Sequence, residues 1–118
     1  MPIRKVWKIP VLVNSKGDII KLWKPRTWII DTDNNYDEAE IAMEAFNQRQ
    51  IKIGILTGGL PPIKNIRFVV RKEDGKTKRD VFKMYETLLD SPTILTKGKE
   101  EELDIFLEKV FKKYSKRQ

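Results

Sequence analysis

The sequence predicts an α+β fold: a small mixed β-sheet, made of an N-terminal hairpin and about three further strands, covered by three helices. Two observations carry the prediction. Apolar residues alternate with period two through Trp7, Ile9, Val11 and Val13, and beyond residue 35 the apolar spacing changes to that of a helix. Strand-like and helix-like segments then follow one another along the whole chain, as a sheet with covering helices requires. At 118 residues the expected organisation is one compact domain over 1–118, able to bury roughly two-thirds of its unfolded surface without disulfide or metal staples. Residues 115–118 are expected to form a frayed basic tail.

Each element follows from local chemistry. Asn14-Ser15-Lys16-Gly17-Asp18 supplies a turn, and the chain returns through Ile19 to Trp23, so the first strand pair is a hairpin. Pro10 lacks an N–H to donate, which predicts an edge position or a bulge for the first strand. After the break at Lys24-Pro25-Arg26, a third strand is expected over 27–30. Asn35 reads as an N-cap with Glu38 three positions on, and Ala39, Ala42, Met43 and Phe46 share a helical face, predicting a helix from about 36 to 48. The apolar run at 51–56 reads as a short strand, which would complete a right-handed crossover with parallel strands.

Ile66, Phe68 and Val70 alternate with Arg67, Val69 and Arg71 in a further strand, ending near Asp74-Gly75. Thr77 with Asp80 then caps a helix carrying Val81, Phe82, Tyr85, Leu88 and Leu89 at helical spacing, and Pro92 stops it. A brief extended stretch at 93–95 precedes a last helix from about 99 to 114, whose stripe is Leu103, Phe106, Leu107, Val110 and Tyr114.

The residue inventory narrows the chemistry. There is no His and no Cys, and the only serines are Ser15, Ser91 and Ser115. Ser-His-Asp and Cys-His catalysis, thiolate or imidazole zinc sites and disulfide architectures are therefore excluded. No run of about 18 apolar residues is present, and the start of the chain lacks a leader pattern, so the expectation is a soluble, cytoplasmic protein with no membrane partner. Abundant Ile, Lys and Glu resemble thermophile composition, although an AT-rich genome produces the same bias.

Charge gives the strongest functional pointer. The net charge is +7, distributed as +6 over residues 1–30, −4 over 31–60, +3 over 61–90 and +2 over 91–118. A field of this sign favours polyanions such as nucleic acid or acidic membrane surfaces. The three tryptophans all fall within the first 28 residues, interleaved with Arg4, Lys5, Lys8, Lys21, Lys24 and Arg26. If Trp7, Ile9, Val11 and Val13 face the core, alternation turns Lys8, Lys21 and Trp23 outward, placing an aromatic ring among cations as single-strand binders do. Trp7 and Trp28 are then core residues. Lys109, Lys112, Lys113, Lys116 and Arg117 form a second basic stretch, of the kind expected in a last helical turn and a solvated tail.

Two further segments bear on chemistry. Asp31, Asp33 and Asp37 lie where a strand gives way to a helix, a position that suits Mg²⁺ in a nuclease, with Lys52 as a nearby base, and equally suits strand-ending and helix-capping roles. An EF-hand is excluded, because Tyr36 stands where such loops need Gly and Ala42 where they need Glu. Thr57-Gly58-Gly59-Leu60-Pro61-Pro62 lacks the Gly-Lys-Ser/Thr ending of a phosphate loop and reads as a stiff connecting loop.

The sequence thus points to a non-catalytic nucleic-acid-binding protein, DNA or RNA, without cofactor, using Lys8, Lys21, Trp23, Lys24, Arg26, Arg67 and Arg71. The alternatives are a metal-dependent nuclease using Asp31, Asp33 and Asp37 with Mg²⁺, of which Asp31 and Asp33 would hold the metal, and a homodimeric or protein-binding module presenting the last helix. An exposed apolar stripe on that helix would mark the latter.

Overall fold

The structure, a computed structural model, describes residues 3–14, 16–56, 66–72, 77–94 and 96–115. The loop at 57–62 and the tail at 116–118 lie outside them, as do the side chains of 49–56 and those of 66–72 other than Val69. The fold is α+β, as the sequence predicts. Its elements are β1 (Ile3–Asn14), β2 (Ile19–Leu22), β3 (Arg26–Asp31), β4 (Tyr36–Asp37), α1 (Glu38–Leu56), β5 (Ile66–Lys72), α2 (Lys78–Leu89), β6 (Thr96–Lys97) and α3 (Glu100–Ser115).

β1 organises the sheet. β5 pairs with it antiparallel from Lys8↔Lys72 to Asn14↔Ile66. β2 and β3 pair with it as successive segments of one returning arm, Leu22 opposite Val11 and Arg26 opposite Lys8. Because β5 and β3 both meet β1 at Lys8, they must lie on opposite sides of it. β6 adds to β2 in parallel, which makes the sheet mixed, and β4 adds to β3.

The hairpin turn is held by Asn14, whose Oδ1 accepts from the Lys16 and Asp18 amides at 3.0 Å each, while Gly17 takes the left-handed φ of 87° that glycine tolerates. Pro10 is not at an edge, and the register shift that the β1–β2 ladder carries falls beyond it, between Leu12 and Val13. The ladder breaks in the opposite arm instead, at residues 23–25, where Trp23 N still donates to Pro10 O at 3.1 Å. A proline is accommodated in a central strand because its partner leaves the ladder there.

The run at 51–56 is not a strand; it continues α1, because no breaker separates it from the helix and propagation adds a hydrogen bond for each residue fixed. The strand-helix-strand crossover exists, but its second strand is β5, parallel to β3, with β1 between them and α1 contacting both. Asn35 is likewise not the N-cap. It sits at φ 53° in the turn before β4, and Asp37 caps α1 by accepting from the Ala39 and Glu40 amides at 2.9 and 3.3 Å.

The sheet is covered on both faces. Val6, Trp23, Trp28, Ala39, Ala42, Phe46, Leu103 and Leu107 form one core between the sheet, α1 and α3. Ile9, Val11, Leu22, Val81 and Tyr85 form a second core under α2. Alternation along β1 feeds both, sending Val6, Lys8 and Leu12 to the first face and Trp7, Ile9, Val11 and Val13 to the second.

Candidate nucleic-acid interface

The face expected to present Lys8, Lys21 and Trp23 to solvent is the one that α1 and α3 cover. The alternation is correct, since Trp23 and Trp7 do lie on opposite faces, but the face that carries Trp23 is covered. Trp23 is completely buried, in an edge-to-face contact with Phe46 at 6.2 Å, and packs so closely on Gly98 that a Cβ there would run into its indole ring. It is no exposed stacking residue. Lys8, 1% exposed, forms an ion pair with Asp37 Oδ2 at 3.0 Å and is unavailable to phosphate. A buried ammonium needs such a partner, and the pair ties the start of α1 to the centre of β1.

Most other cations of the returning arm are matched by carboxylates in the first two turns of α3. Arg26 bridges Glu100 and Asp104, both at 2.7 Å, and Lys21 meets Glu102 at 3.1 Å. Glu100 also accepts the Lys24 backbone amide at 3.1 Å. Of that set only the Lys24 side chain is exposed and outside any ion pair with a described residue. Arg67 and Arg71 register opposite Val13 and Ile9 on β5.

The acidic cluster is occupied with the local fold. Asp31 accepts from the Asp33 and Asn34 amides and from the Asn34 side chain, closing the turn after β3. Asp37 divides its oxygens between the α1 cap and Lys8. Asp33 is exposed. Glu38 accepts from the Ile29 amide at 2.6 Å, and burial, aided by the Asp37 charge, raises its carboxyl above the usual range against the opposing effect of that hydrogen bond and of Lys5. Among the described residues no group of three or more acids is placed to hold a metal ion, and no helix is long and apolar enough to cross a membrane. On α3 the stripe Leu103, Leu107 and Val110 turns inward, and exposed Ile105 stands among the exposed Glu101, Asp104 and Glu108.

A different basic surface stands open, around the start of α2. Lys78, Arg79 and Lys83 are exposed there, as is Lys5 on β1, two residues from Trp7 and within electrostatic reach of Glu38, and none of the four is in an ion pair with a described residue. Lys78 Nζ lies 5.3 Å from the centre of the Trp7 ring and 5.7 Å from that of Phe82. Trp7 is half-buried rather than a full core residue. Asp80 is turned back onto the cap residue Thr77, whose hydroxyl donates to it at 2.9 Å. The sequence held a signal for this surface: Lys78 and Arg79 occupy the first turn of a helix, where the positive end of the dipole disfavours cations. Residues that break a local rule are candidates for function.

Comparison with known protein families, with characterised proteins and with solved structures finds no match to this chain.

Proposed function

We propose that this protein is a non-catalytic, cytoplasmic nucleic-acid-binding protein that attracts phosphates through Lys5, Lys78, Arg79 and Lys83, with Lys24, Arg67 and Arg71 adding to the field. The observation that carries the proposal is the placement of Lys78 and Arg79, exposed and without ion pairs to described residues, at the helix end where cations are least stable. The returning arm contributes less than its charge suggests, because Lys8, Lys21 and Arg26 already meet carboxylates. Binding of this kind is insensitive to base identity and depends on counterion release.

The test is a titration of labelled oligonucleotides at several salt concentrations. Binding should weaken steeply with salt, and Lys78→Ala, Arg79→Ala and Lys83→Ala together should lower the slope of log affinity against log salt by about two units. Lys21→Ala with Arg26→Ala should leave that slope unchanged. The opposite ranking would return the interface to the hairpin arm, and absence of binding at low salt would refute the proposal.

A further inference from the structure

We propose that the nucleic acid is single-stranded and that Trp7 is the platform on which an unpaired base stacks, an inference that rests on the polyanion-binding reading and adds the strand class to it. Ile3, Lys5 and Trp7 occupy alternate positions of β1 and so share one face, and on β3 Thr27 and Ile29 register opposite Trp7 and Lys5. α2 covers that face unevenly. Ile9 and Val11 are fully buried beneath it, Trp7 is half-buried, and Lys5, Thr27 and Ile3 are exposed, the last at 56%. Toward the beginning of β1 the sheet therefore emerges from under the helix, with Trp7 at the boundary.

Three features suit this boundary to an unpaired base. Trp7 stands at 67° to the Phe82 ring with centroids 5.7 Å apart, so its orientation is set by packing before any ligand arrives. Lys78 lies over the same ring; its exposed cation–π contact is weak, and the ammonium is free to pass to a phosphate when a base takes its place. Lys5 stands two positions along the same face, beside the apolar Ile3, so charge and apolar surface alternate as sugar-phosphate and base do along a strand. A duplex offers no match. Its bases are paired and stacked inside, and only single strands present a π-face to an aromatic side chain.

The protein carries its own probe. Of its three tryptophans, Trp23 and Trp28 are buried, so quenching of intrinsic fluorescence by a bound strand reports Trp7. An oligothymidylate should quench the emission of the wild-type protein, and a blunt duplex of the same length should not. Trp7→Leu should weaken binding of the oligothymidylate by about 5- to 150-fold, with folding confirmed by circular dichroism. Trp7→Phe should retain part of the affinity while abolishing the quench, which keeps the test decisive if Trp7→Leu fails to fold. Salt-sensitive binding with unchanged emission and full affinity in Trp7→Leu would overturn the stacking platform while leaving the electrostatic reading intact. Tighter binding of the duplex would also overturn it. Failure to bind either probe at low salt would remove the nucleic-acid reading itself, and the platform with it.

Discussion

Lys8 shows how one residue can be basic in sequence and structural in the fold. Its side chain is 1% exposed and that of its partner Asp37 is 15% exposed, so the two ends of the pair are not equivalent. Removing the acid strands a buried charge, whereas removing the base leaves a carboxylate that still caps α1 and reaches water. Asp37→Asn should therefore destabilise the protein by about 3–5 kcal/mol, and Lys8→Met, which replaces the charge with an apolar chain of similar length, by clearly less. Urea unfolding of both variants checks the order; equal losses would mean that the unpaired carboxylate costs as much as the unpaired ammonium and would contradict the asymmetry of the pair. At this scale the sequence was readable in identity but not in exposure. Alternation correctly set Trp23 opposite Trp7, yet whether a face meets water depends on helices up to about 80 residues away in the chain, and period alone carries no such information.

Among the elements, α2 combines a sound cap with poorly placed charge. Thr77 accepts from the Asp80 amide at 3.2 Å, fulfilling the N-cap that the sequence predicts, but Lys78 and Arg79 then set two cations in the first turn. Arg79→Glu should raise stability by about 0.3–1 kcal/mol, because it replaces a repulsive charge at the dipole's positive end with an attractive one. The same change should weaken oligonucleotide binding. Thermal denaturation and a binding titration on the one variant check both halves, and a variant that gains stability without losing affinity would detach Arg79 from the interface. Elements with a single strong signal, the hairpin and the two later helices, were legible in sequence. The run at 51–56 was not, since alternating isoleucines satisfy a strand template even where an uninterrupted helix extends through them. Asn35 misled for a related reason: Asn suits both an N-cap and a left-handed turn position, and Asp37, two residues on, was the better cap.

At the scale of the molecule, three helices with apolar stripes need more sheet area than one face provides. Covering both faces satisfies that need and buries the hairpin side first expected to meet the ligand. The carboxylates in the first two turns of α3 then fall against the basic returning arm, pairing Lys21 and Arg26 with Glu100, Glu102 and Asp104, while the cations around the start of α2 remain open to solvent. Net charge was legible in the sequence; its location after such pairing was not, because it depends on contacts between residues 21–26 and 100–104. The most direct measurement is an amide chemical-shift map recorded while a short single-stranded oligonucleotide is added. Binding at the Trp7 end of β1 and the start of α2 should give the largest changes at Lys5, Trp7, Thr27, Lys78, Arg79 and Lys83. Changes confined to Lys21, Lys24, Arg26 and the first turn of α3, or no changes at low salt, would contradict it.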